Sequence, residues 1–208
     1  MKTKKIYIIR HGQTDYNLQR IVQGRGIDAS LNNNGKIQAQ SFFNHYKNEG
    51  FEVVYTSQLK RTTESVASFI DTGLTHIKLE GLDEISWGVY EGVEANYEDK
   101  LFFKELTTKW AQGDTSLAIE EGESPNEVAL RQHQVIELIK NGNEEKILIC
   151  MHGRALRIFL TQLLNIPIAS MDQFEHHNLC LYIVNYNNGQ FNLVVENDTA
   201  HLKTTVYV

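Results

Sequence analysis

Apolar residues along the chain fall into short unbroken runs, separated by longer stretches with helical spacing. Lys5 to Arg10 (KIYIIR), Val53-Val54-Tyr55, His76 to Leu79 and Ile147-Leu148-Ile149-Cys150 are the early runs. The first two and the last are apolar without alternation, the mark of strands buried on both faces. Lys36 to Tyr46, Leu59 to Ile70, Glu94 to Trp110, 126 to 140 and Ala155 to Leu164 carry the helical spacing, with Pro125 placed at a helix start. Residues 11 to 34 are rich in Gly, Asn, Asp and Gln and predict a long functional loop; Gly113 to Ser124 is another loop. Leu179 to Tyr186 and Phe191 to Glu196 flank Asn187-Asn188-Gly189, a hairpin signal.

Alternating strands and helices predict an α/β three-layer sandwich, with a mostly parallel central sheet covered by helices on both faces. Without repeats or linkers, residues 1–208 predict a single domain, with a small helical cap or insertion around 92–124. Ligands of such sheets bind beyond the carboxyl ends of the strands. Arg10-His11-Gly12 and His152-Gly153 both fall at such ends.

Composition narrows the partners. A formal net charge of -6 argues against nucleic acid or an anionic membrane, so any anion must meet locally gathered cations. The apolar run Ile6 to Ile9 is too short for a signal peptide or a membrane span, so a soluble cytoplasmic protein is expected. Cys150 and Cys180 lie in apolar runs and predict buried reduced thiols. His176-His177 reads as a polar turn, because His45, His76, His133 and His201 supply no further ligands at metal spacing. Gly24-Arg25-Gly26 lacks the third glycine of a phosphate loop, and Glu120 to Glu123 reads as a solvated loop, placed where it invites a role in gating the pocket.

Arg10-His11-Gly12-Gln13-Thr14 has the makings of a phosphoryl nucleophile. Imidazole attacks phosphorus only when neutral, and its free nitrogen is set by what the other one bonds. Neighbouring guanidinium groups disfavour ring protonation and match phosphate oxygens with their fork. An isolated histidine at a strand end would more simply be structural.

This one is not isolated. RHGQTDYN at 10–17 resembles the nucleophile motif of the histidine phosphatase superfamily, which includes the cofactor-dependent phosphoglycerate mutases. SQLKRTTES at 57–65, LDEISWGVYEG at 82–92, GES at 122–124 and MHGRALR at 151–157 resemble its other motifs, in family order. The resemblance implies that His11 becomes phosphohistidine, with Arg10, Arg61 and His152 around the phosphoryl oxygens. It implies that Asn17 donates a further hydrogen bond and that Glu84 protonates the leaving oxygen, then takes a proton from water. Gly153, Gln23 and Arg154 are further candidate phosphate or substrate contacts. Trp87 and Tyr90 stand either as pocket wall or as core.

Departures from the pattern are Arg25 and Ala29, where relatives carry an aromatic and a proline, and Met151 and Arg154 around His152-Gly153. Arg25 and Arg154 are therefore suspected of tuning specificity toward a second anionic group; the alternative is two solvated surface arginines. Mutases of this family resemble longer chains with paired arginines after the proton donor, whereas residues 95–121 contain none. A phosphoric monoester hydrolase of the histidine acid phosphatase type, acting on a small phosphorylated metabolite, is therefore expected. A phosphoglycerate mutase and a catalytically weak phosphate sensor are the alternatives. No metal or organic cofactor is implied, and the edge of the C-terminal hairpin offers a surface for a homodimer.

Overall fold

One six-stranded sheet organises the protein, in the order β3-β2-β4-β1-β5-β6. The computed structural model describes residues 3–203; residues 1–2 and 204–208 of the expected domain lie outside it. The strands are β1 (Thr3–Arg10), β2 (Val53–Thr56), β3 (Thr75–Lys78), β4 (Lys146–Met151), β5 (Leu181–Asn187) and β6 (Gln190–Asp198). β1 runs parallel to β4, β4 to β2 and β2 to β3, with Ile8 opposite Ile149 and Arg10 opposite Met151. β5 and β6 join antiparallel beyond β1, so the sheet is mixed, with four parallel strands and an antiparallel hairpin. Asn188 and Gly189 both take positive φ in the hairpin turn, as the Asn-Gly signal requires.

The unbroken apolar runs feed two cores, because successive side chains point to opposite faces. Ile6, Ile8, Tyr55 and Ile149 pack on one face, under α5 (Tyr97–Ala111), α6 (Pro125–Asn141) and α7 (Gly153–Leu163). Tyr7, Ile9, Val54 and Cys150 pack on the other, against Phe42 of α2 (Asn33–Tyr46) and Phe69. Both cysteines are free and buried. No helix among the described residues is long and apolar enough to cross a membrane.

Several boundaries differ from expectation for local reasons. Within the predicted loop, Asp15–Gln19 forms a short helix, α1, capped reciprocally by Thr14 and Asn17. Asparagine at that third position hides a capping box usually recognised by Glu or Gln. The predicted helix from Leu59 to Ile70 breaks at Val66 into α3 (Lys60–Ser65) and α4 (Ala67–Asp71). There Ser65 turns its hydroxyl back onto the Arg61 carbonyl at 2.6 Å, a bond that bends helices. The same oxygen accepts the Gly12 N–H at 2.9 Å, so the break ties α3 to the loop after β1.

Candidate functional site

His11, Arg61, Glu84 and His152 follow the carboxyl ends of four parallel strands. β1 ends at Arg10 and delivers His11; β4 delivers His152, which caps α7; β2 delivers Ser57 and, one turn on, Arg61. A 3₁₀ turn after β3, Glu80–Leu82, brings in Asp83 and Glu84.

His11 is 2% exposed, and its Nδ1 lies 2.7 Å from the Gly12 carbonyl. A carbonyl only accepts, so Nδ1 carries the proton. Burial, then Arg61 and Arg10, hold the ring pKa well below its ordinary value. The ring is therefore neutral and its Nε2 is a bare lone pair. Guanidinium repulsion acts as the sequence suggests, but desolvation is the larger cause.

His152 lies behind this ring, with centroids 5.1 Å apart. Its Nδ1 accepts from Arg61 Nε at 3.2 Å, and its Nε2 meets Ser57 Oγ at 2.8 Å. Both nitrogens are thus engaged with protein rather than open to the cleft, which narrows the role implied by the family motif. Burial and Arg61 lower its pKa as well. Arg61 is fully buried and donates to the Ile27 carbonyl at 2.5 Å and the Gly24 carbonyl at 3.1 Å. Burial lowers its pKa to about 10, which leaves it cationic at neutral pH.

Arg10 Nη1 donates to His176 Nδ1 at 3.2 Å, while its buried Nε has no partner among the described residues. His176 is thus more than a polar turn. Burial and Arg10 push it down to about 3, so it stays a neutral acceptor, and a Cβ on Gly153 would meet its ring at 3.0 Å. His177 is exposed, as expected. Asn178, which no motif or periodicity singles out, donates to the His11 carbonyl at 3.0 Å and to Asn17 Oδ1 at 3.1 Å. With its oxygen so occupied, Asn17 has its amide N–H groups left for the cleft. Gln23 donates to Thr14 Oγ1 at 2.7 Å and keeps a buried Oε1 without a partner among the described residues.

Glu84 is 7% exposed. Its Oε1 accepts the N–H groups of Ile85 and Ala155, at 3.0 and 2.8 Å, and its Oε2 that of Arg154 at 3.2 Å. The first turn of α7 is thereby docked on its carboxyl, satisfying orphan helix donors.

Arg10, His11, Asn17, Gln23, Glu84 and Arg154 line one cleft of about 480 Å³. Arg61, His152 and Gly153 stand outside its lining. The far wall is Ile21, Val22, Trp87 and Phe103, with Lys104 and Thr107 of α5. Tyr90 does not line it; its ring packs on Phe102 and Phe103. Arg154 is no solvated surface arginine. It pairs with Asp172, which also holds Arg157 at 2.5 Å, and lies over the Trp110 ring at 5.5 Å. Arg25 is committed elsewhere, to Glu80 at 2.7 Å, Asp83 at 3.3 Å and Glu123 at 3.4 Å. Glu123 is correspondingly held in place rather than solvated. No group of three or more His, Cys, Asp or Glu suited to a metal occurs among the described residues.

The family model of the histidine phosphatase superfamily (branch 1) matches residues 6–199. The chain belongs to this superfamily. Among its relatives is a protein of Yersinia pestis described as "Probable phosphoglycerate mutase GpmB", 29% identical over 95% of this chain and 94% of its own length. The α-ribazole phosphatase from Shigella flexneri shares its fold with a TM-score of 0.79 at 23% identity, over 93% of this chain and 96% of that one. A mycobacterial glucosyl-3-phosphoglycerate phosphatase does so with a TM-score of 0.82 at 22% identity, over 95% and 100%. The fold of this superfamily member thus occurs in phosphatases, while the relative named at the sequence level is called a mutase.

Proposed function

We propose that the protein is a phosphomonoesterase that passes the phosphoryl group of a small metabolite through His11 to water. The observation that carries this reading is the neutral, buried His11, whose bare Nε2 opens on the cleft beside two guanidinium groups. In the first step a bond forms from Nε2 to phosphorus and the ester P–O bond breaks, its oxygen taking a proton from Glu84. In the second, water attacks phosphorus, Glu84 recovers the proton and the N–P bond breaks. Arg10 and Asn17 meet the phosphoryl oxygens, with Gln23 and the Gly153 N–H as further donors. Arg61 contributes field from behind, and His152 fixes its guanidinium.

Transfer to water rather than to a second hydroxyl is favoured by the far wall. A mutase holds a carboxylated substrate by both ends. Here the wall is mostly apolar with Lys104 as a single flexible cation, the Arg154 charge is already met by Asp172, and residues 95–121 hold no arginine. A leaving group with an apolar body fits these groups better. The name of the sequence relatives keeps the mutase as the second reading.

Hydrolysis of a panel of phosphomonoesters in the presence of a chelator tests the proposal. The expected result is phosphate release that His11→Ala abolishes, with an acid-labile phosphohistidine trapped in the wild type. Rapid isomerisation of 3-phosphoglycerate, primed with bisphosphoglycerate and releasing no phosphate, would establish the mutase instead. Equal inactivity of wild type and His11→Ala across the panel would indicate a sensor.

A further inference from the structure

Outside the cleft, one arginine has every donor engaged. Arg131, on α6, uses all five guanidinium N–H groups. Nε and one Nη2 hydrogen grip the Glu123 carboxylate at 2.9 and 3.1 Å. The Nη1 pair donates to the carbonyls of Glu80 and Gly81 at 3.3 and 3.0 Å. The remaining Nη2 hydrogen donates to the Glu84 carbonyl at 3.0 Å. Glu123 Oε2 in turn accepts the Ser86 N–H at 2.9 Å. The backbone around Glu84 is therefore clasped on both sides by one planar ion pair. The two elements also approach closely, since a Cβ on Gly81 would lie 2.8 Å from the Arg131 carbonyl oxygen.

We propose that Arg131, with Glu123, is a positioning residue for the proton donor Glu84. The proposal rests on the phosphomonoesterase reading, in which Glu84 protonates the leaving oxygen. Segment 83–86 is not in a regular helix or strand, so its backbone depends on side chains for its place. Arg131 does not itself line the cleft and meets its lining through the Glu84 backbone carbonyl, so its effect passes through where the Glu84 carboxyl stands. Lysine cannot replace it, having three donors and no fork. Arg25 braces the same cluster from the loop after β1 through Glu80, Asp83 and Glu123.

An ester whose leaving group needs no proton separates positioning from general damage to the fold. Arg131→Met is compared with wild type on phenyl phosphate, whose leaving group needs protonation, and on 2,4-dinitrophenyl phosphate, whose leaving group does not. The expected result is a fall in kcat/KM, which reports phosphorylation of His11 and not the later attack of water, of about tenfold or more on the first, within the range of general acid catalysis, and a change within about threefold on the second. Arg131→Lys, which keeps the charge, is the second variant should the first fold poorly, and shows the same asymmetry at smaller size. Equal falls on both esters, or no fall on phenyl phosphate, would overturn the proposal. Absence of His11-dependent turnover of both esters by the wild type would instead overturn the functional reading beneath it.

Discussion

Replacing His176 by asparagine removes a titratable ring from beside Arg10 while leaving an acceptor oxygen where Nδ1 lies. Burial, then Arg10, Arg157 and Arg154, push His176 from 6.5 down to about 3. The native protein therefore binds no proton there across a range in which the unfolded chain does. The stability this group contributes is complete above pH 6.5, is lost as the pH falls toward 3, and changes no further below that. At pH 5 the unfolded ring lies 1.5 units above the solution, and one unit corresponds to about 1.4 kcal/mol, so the loss is about 2 kcal/mol. Partial exposure of the ring lowers this to between about 1 and 2 kcal/mol. Urea denaturation of wild type and His176→Asn at pH 7.5 and pH 5.0 measures it. The wild type should lose that much more between the two conditions than the variant does. His11, His152 and the acidic residues are common to both proteins, so their contributions cancel in the difference. If the two proteins lost the same stability on acidification, His176 would not be the neutral acceptor that Arg10 requires.

Three further perturbations probe separate parts of the structure. Trp110 is fully buried, donates its indole N–H to the Leu117 carbonyl at 2.9 Å and lies under Arg154; Trp110→Ala should cost about 3–5 kcal/mol in denaturant unfolding. Ser65→Ala strips the Gly12 N–H of its acceptor next to His11 and should cost about 1–3 kcal/mol, with kcat falling more than KM changes. Lys104 lines the cleft with no ion-pair partner among the described residues, so Lys104→Met should lower kcat/KM about two- to fivefold for a carboxylated alkyl phosphate and leave its uncharged analogue unaffected.

The strands were legible in the sequence because an apolar run that carries no alternation has few other uses. Ile6 to Ile9 and Ile147 to Cys150 announce two-sided burial before any partner is known. Their ends fix where chemistry gathers, so His11, Arg61, Glu84 and His152 were readable as neighbours from family motifs at strand ends. The sheet's last two strands were readable as a hairpin, though nothing in their pattern says that they join antiparallel beyond β1. His176, Asn178 and Arg131 were not readable as parts of the site. Each acts through a bond to a residue far away in the chain, and neither periodicity nor a motif records such a bond. Arg25 and Arg154 were noticed as departures from a pattern, but their carboxylate partners, Glu80 and Asp172, become visible only when the chain is folded.

That last distinction bears on how an acidic protein holds an anion. With a formal net charge of -6, the average field repels phosphate, so attraction has to come from cations left uncompensated. Arg25, Arg131, Arg154 and Arg157 each pair with a carboxylate. Among the described residues, Arg10 and Arg61 do not. Arg10 has the neutral His176, and Arg61 has two backbone carbonyls and the neutral His152. These partners orient a guanidinium without cancelling its charge. Neutral histidines are required for that, so under the proposed function the burial that keeps His176 and His152 unprotonated serves phosphate binding as well as packing. A carboxylate put in place of His176 would pair with Arg10 more strongly and still weaken the site, because the charge offered to the substrate would be gone.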